Sequence, residues 1–126
     1  MTAKRLLAVD DEVEFGRFVA RVARGLDYVV EVTTTAEDFM AAFQRFDPDV
    51  IVLDMIMPRM DGVELIRWLG RAKCRARIVI ISGFNPAYAK MAELLGDAWG
   101  ILSVITLAKP VSLIDLRAAL EPAGLA

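Results

Sequence analysis

The chain reads as an α/β protein built on a parallel sheet with helices on both faces. Short runs rich in Val, Ile and Leu alternate five times with stretches of helical period. The runs are apolar throughout rather than at every second residue, and no internal repeat or low-complexity segment interrupts them. Strands buried on both faces have this continuous apolar character, and repeated strand–helix alternation winds into a parallel sheet through right-handed crossovers.

The first strand is expected from Arg5 to Val9. A helix follows from Val13 to Arg24, in which Phe15, Phe18, Val19 and Val22 recur at three and four and make one apolar face. Gly25 supplies its stop. The second strand spans Tyr28 to Thr33, and Thr35 stands where a side chain can cap the helix Ala36 to Phe46, which Asp47-Pro48 ends. The third strand runs from Val50 to Leu53, before a helix from Gly62 to Leu69. The fourth runs from Arg77 to Ile81, before a helix from Pro86 to Leu95. The fifth runs from Leu102 to Leu107, and Ser112 can cap the last helix, Leu113 to Leu120.

At 126 residues and 56% hydrophobic content, the sequence fits one domain over residues 1–126 and leaves no room for a second, output domain. Fifteen basic against 17 acidic residues give a net charge of -2, so no global basic field draws the chain to nucleic acid or an anionic membrane. Cys74 has no cysteine to pair with. The apolar run after Arg5 is too short for a signal peptide or a membrane span, and a cytoplasmic location is expected. There is no histidine, so the commonest general base, metal ligand and phosphoryl carrier is missing. Chemistry falls to carboxylates, hydroxyls and lysine.

Three apolar runs end in charge: the first at Asp10-Asp11, the third at Asp54, and the fifth at Lys109-Pro110. Ser82 ends the fourth. Open parallel sheets bind ligands outside the carboxyl ends of their strands, so these residues are candidates for one site. If the first and third strands are neighbours, Asp10, Asp11 and Asp54 converge. Two like charges at roughly 5 Å cost about 3 kcal/mol at an effective dielectric near 20. A divalent cation removes that penalty, and oxygen-only donors suit Mg²⁺ or Mn²⁺ rather than zinc. Each residue also has a plainer explanation: helix capping for Asp10-Asp11-Glu12, a backbone-satisfied loop carboxylate for Asp54, a turn hydroxyl for Ser82 and a solvated amine for Lys109. Their joint occurrence at four strand ends favours a site.

Over nearly its whole length the chain resembles a response regulator receiver domain. The residues that carry the resemblance are Val9-Asp10-Asp11-Glu12, Leu53-Asp54-Met55-Ile56-Met57-Pro58-Arg59-Met60-Asp61-Gly62, Ile80-Ile81-Ser82-Gly83 and Leu107-Ala108-Lys109-Pro110, in that order. The resemblance implies a flavodoxin-like, doubly wound five-stranded sheet of order 2-1-3-4-5. It implies that Asp54 is the phosphoacceptor, that Asp11 binds magnesium directly and Asp10 through water, and that the backbone carbonyl of Ile56 is a further ligand. Ser82 would be the switching hydroxyl and Lys109 the phosphate-binding cation, with a cis bond before Pro110. Such a domain is a phosphorylation-controlled switch rather than an enzyme acting on other molecules. Its implied partners are a histidine kinase or histidine phosphotransfer protein and a downstream target on the face of the fourth helix, fifth strand and fifth helix; a homodimer is also open.

Three departures from the family pattern stand out. Thr106 occupies the place of an aromatic usually found three residues before the lysine. The stretch Gly96 to Ser103 is long, so either the fourth helix is extended or the following loop carries an insertion; its Trp99 is either a partner anchor or a packed core residue. Ile56 and Phe84, two residues after Asp54 and Ser82, are apolar, which implies hindered access of hydrolytic water and a long-lived phosphoryl group. Two other functions share parts of this pattern. Phosphatases of the haloacid dehalogenase type use a strand-end aspartate and magnesium, but their second carboxylate, the proton shuttle, would fall at Ile56. A pseudo-receiver that signals without phosphate conflicts with Asp10, Asp11, Asp54 and Lys109, while Thr106 is compatible with it.

Overall fold

The computed structural model describes residues 3–55, 57, 62–83, 86–101 and 103–121. Five strand–helix units follow one another: β1 Arg5–Val9 and α1 Val13–Gly25, β2 Val29–Thr33 and α2 Ala36–Phe46, β3 Val50–Asp54 and α3 Gly62–Arg71, β4 Arg77–Ser82 and α4 Pro86–Ala98, β5 Val104–Ala108 and α5 Leu113–Leu120. All strand pairs are parallel and the sheet order is β2-β1-β3-β4-β5, as the resemblance implied.

Alternate residues of each strand feed two separate cores. Leu7 and Val9 of β1 pack with Ile51 and Leu53 of β3 against Phe39 of α2, Leu65 of α3 and Ala92 of α4. Leu6 and Ala8 pack with Val50 and Val52 against Val19 of α1 and Leu116 of α5. Helices on both faces therefore cover β1, β3 and β4. The edge strands differ from the expectation of full burial: β2 and β5 are largely half-buried, because each has a neighbour on one side only.

Element boundaries follow local chemistry. Thr35 Oγ1 accepts from the Asp38 amide at 3.1 Å and Ser112 Oγ from the Asp115 amide at 3.0 Å, so both expected caps form. Asp47 closes α2 in the left-handed region at φ 52°, ahead of Pro48. Gly25, expected just beyond α1, is instead its last residue, and the left-handed turn comes at Asp27, φ 69°. Tyr28 lies just before β2 rather than in it. It is buried, and its hydroxyl donates to the Leu120 carbonyl at 2.6 Å.

β3 and β4 each run one residue further than expected, through Asp54 and Ser82. The ladder explains this: Asp54 pairs with Ile81, and Ser82 with Ala108. α3 continues to Arg71. α4 continues to Ala98, so the long stretch after Gly96 is partly extended helix, turned by Gly100 at φ 83°. β5 begins at Val104, with Ser103 ahead of it and Leu102 outside the described residues. No helix among the described residues is long and apolar enough to cross a membrane.

Candidate functional site

Parallel strands direct all their carboxyl ends to one edge, so Asp10 after β1, Asp54 ending β3, Ser82 ending β4 and Lys109 after β5 come together there. The β1–β3 register, Val9 beside Leu53, sets Asp10 next to Asp54. Carboxylate oxygens of Asp10, Asp11 and Asp54 lie within 4.8 Å of one another. Asp10 and Asp54 are buried and Asp11 is exposed. On the other side of Asp54, Lys109 Nζ stands 3.9 Å from its Oδ2. Ser82 is buried, and its carbonyl accepts from the Lys109 amide at 2.8 Å, which ties the end of β4 to the lysine. The Lys109–Pro110 peptide bond is cis.

Asp10 shows what this crowding costs. Its Oδ1 accepts from the Glu12 amide at 2.8 Å, while Oδ2 is buried with no hydrogen-bond partner among the described residues. Burial pushes its carboxyl from the ordinary 3.8 to about 6; the Glu12 amide opposes the shift, the Asp54 charge adds to it, Lys109 opposes it and Asp11 adds a little. An orphaned buried oxygen beside two more carboxylates, with oxygen donors only, fits a hard divalent cation.

Two neighbours of Lys109 were not identified from the sequence. Glu12, read there as a capping acid, places Oε2 at 3.6 Å from Nζ. Phe15, read as part of an apolar face, lies with its ring centroid 5.3 Å from Nζ. The adjacency of Glu12 to Asp10-Asp11 was a usable signal. For Phe15 there was none, because α1 and the β5–α5 loop meet only in three dimensions. Phe15 also lines an open cleft of about 770 Å³ beside the lysine, with Phe18, Pro110 and Val111. Gly62 packs against Met55, the residue after Asp54. Its amide donates to the Met55 carbonyl at 2.7 Å, and a Cβ there would stand 2.8 Å from the Met55 Cα.

Of the expected site residues, Ile56 and Phe84 lie outside the described residues, as do Pro58 to Asp61 of the motif. Thr106 does not reach the site: its hydroxyl donates to Glu93 Oε1 of α4 at 2.9 Å. Trp99 is half-buried against the α2–α3–α4 core with the Arg67 guanidinium 5.2 Å from its ring centroid, so it combines packing with an outward cationic contact.

The family model of the response regulator receiver domain matches residues 6–121. The transcriptional regulatory protein TrcR of Mycobacterium tuberculosis is 28% identical over 117 residues, 93% of this chain but 44% of that protein. The chain thus spans less than half the length of that relative. The chemotaxis protein CheY of Listeria monocytogenes is 30% identical over 84 residues, covering 64% of this chain and 69% of that one. Among solved structures, a response regulator from Colwellia psychrerythraea superposes with a TM-score of 0.79 at 28% identity, over 98% of this chain and 97% of that one. With its matched length, sheet order and strand-end residues taken together, the chain belongs to the response regulator receiver domains of two-component signalling systems.

Proposed function

We propose that this domain is a phosphorylation-controlled switch in which Asp54 accepts a phosphoryl group from a histidine kinase, a histidine phosphotransfer protein or a small acyl phosphate. The observation that carries this reading is the convergence of three carboxylates within 4.8 Å, with Lys109 Nζ 3.9 Å from Asp54. A carboxylate oxygen of Asp54 would form the new O–P bond as the donor's P–N or P–O bond breaks, the electron pair leaving with the donor. Phosphoryl transfer depends mainly on positioning and charge neutralisation. Asp10, Asp11 and Asp54 would hold Mg²⁺ or Mn²⁺, with the Ile56 carbonyl as a further ligand; when bound, the ion supplies charge neutralisation for the phosphoryl oxygens. Lys109 supplies the second positive charge, already steered toward Asp54.

Ser82 stands one register step beyond the Asp54 partner Ile81, and in this reading its hydroxyl would donate to a phosphoryl oxygen. Movement of Ser82 would pull on the start of α4 and shift the population between two states. The surface formed by α4, β5 and α5 is the proposed target face. Met91 and Leu94 on α4 and Leu113 and Ile114 on α5 are exposed. The chain would catalyse only its own phosphorylation and dephosphorylation. A phosphate-independent interaction module is the second reading, favoured by Thr106, whose hydroxyl is engaged with Glu93.

Incubation with acetyl phosphate and Mg²⁺, followed by intact mass, separates the two. The proposal expects one added phosphoryl group on the wild type and none on Asp54→Ala. An unmodified wild type would leave the interaction module as the reading.

A further inference from the structure

Residues Arg67 to Arg77 contain five basic residues, Arg67, Arg71, Lys73, Arg75 and Arg77, and no acidic one. The chain as a whole carries -2, so the remainder carries -2 - 5 = -7. The charge is strongly polarised toward this strip. Arg77 turns inward and donates to the Ala119 carbonyl at 2.9 Å. The other four are exposed, and none forms an ion pair among the described residues. A favourable contact with the carboxyl-terminal dipole of α3 accounts for Arg71. It does not account for Arg75, which lies beyond the helix.

The strip also has shape. Arg67, Gly70, Arg71 and Trp99 line a cavity of about 400 Å³. Gly70 permits it: a Cβ at that position would meet the Trp99 Cβ at 2.9 Å and its carbonyl oxygen at 3.0 Å, so the absent side chain lets α3 and the end of α4 close on each other. Arg67 and Arg71, one turn apart, stand on one face of α3. The guanidinium of Arg67 lies over the Trp99 ring. A cavity with an aromatic wall, one guanidinium over the ring and a second on its lining offers apolar contact and bidentate carboxylate contacts together.

We infer that the Arg67–Arg75 strip and the Trp99 cavity form a docking surface for a short acidic protein segment carrying an apolar or aromatic residue between its carboxylates. A protein segment fits better than nucleic acid. A long polyanion would run off four cations onto the rest of a chain that carries -2 - 4 = -6, whereas a short acidic stretch ends where the strip ends. Because the strip precedes β4, it lies at the amino ends of the parallel strands, the edge opposite Asp54. Docking here is therefore separable from phosphorylation, and Asp54→Ala is expected to bind as the wild type does.

The test is fluorescence anisotropy of a labelled peptide with one phenylalanine between two short runs of glutamate, titrated with the intact chain. Saturable binding that weakens about tenfold in Arg71→Glu/Arg75→Glu, and not in Arg17→Glu on α1, is expected. Trp68→Phe leaves Trp99 as the one indole, whose emission should change along the same curve. Should the double substitution disturb the helix end, Arg75→Glu alone carries the comparison. Absence of saturable binding, or equal affinity in the charge-reversed variants, overturns the inference. Tighter binding of an oligothymidylate than of the peptide overturns the choice of an acidic protein segment.

Discussion

The Thr106 hydroxyl on β5 donates a 2.9 Å hydrogen bond to the Glu93 carboxylate on α4. Both residues are half-buried, so this contact ties the edge strand to the helix beside it. Removing the donor leaves a partly desolvated carboxylate unsatisfied. Thr106→Val should therefore lower the unfolding free energy by about 1 kcal/mol in urea titration, a typical loss for one such bond. Glu93→Ala combined with Thr106→Val should cost less than the sum of the two single changes. Full additivity would show that the bond contributes nothing.

Asp10 is expected to make stability depend on pH and metal together. A carboxyl raised from 3.8 to about 6 by burial favours the folded state most below 3.8, and this contribution is lost as pH rises through about 6. Asp10→Asn imitates the neutral acid. In metal-free protein its Tm should gain on that of the wild type between pH 4 and 7. Mg²⁺ should raise the wild-type Tm more at pH 8 than at pH 5, because the ion competes with the proton. A difference between variant and wild type that does not vary with pH would refute the assignment.

Phe15 holds the lysine that faces Asp54. Phe15→Leu keeps apolar bulk and removes the ring quadrupole beneath Nζ, an interaction worth about 0.5–1 kcal/mol. If that orientation is needed for transfer, phosphorylation by acetyl phosphate should slow about two- to fivefold, with the melting curve little changed. An unchanged rate would leave Phe15 as packing alone.

Gly62 is required by the close approach of α3 to Met55. Its replacement by alanine would put a methyl group 2.8 Å from the Met55 Cα. Backbone cannot give way as a flexible side chain can, so Gly62→Ala should destabilise the fold by about 1–3 kcal/mol, read as a lower denaturation midpoint with unchanged slope.

Much of this architecture was legible in the sequence because its causes are local. Apolar runs marked β1, β3 and β4, the three-and-four spacing of Phe15, Phe18, Val19 and Val22 marked α1, and Thr35 and Ser112 marked helix starts that the structure bears out. Charged and hydroxyl residues at strand ends announced a site on one edge, since a parallel sheet sends every carboxyl end the same way. What only the tertiary structure decided depends on pairs distant in the chain. The ladder carried β3 through Asp54 and β4 through Ser82, where the apolar pattern had stopped. The approach of α1 to the β5–α5 loop put Phe15 and Glu12 on Lys109, and that of α4 to β5 gave Thr106 its carboxylate. The fold of α3 against the end of α4 placed Arg67 on Trp99. Residue type and spacing fix which face of an element is apolar, but side-chain partners across elements are chosen by how the elements pack, and no local pattern encodes that.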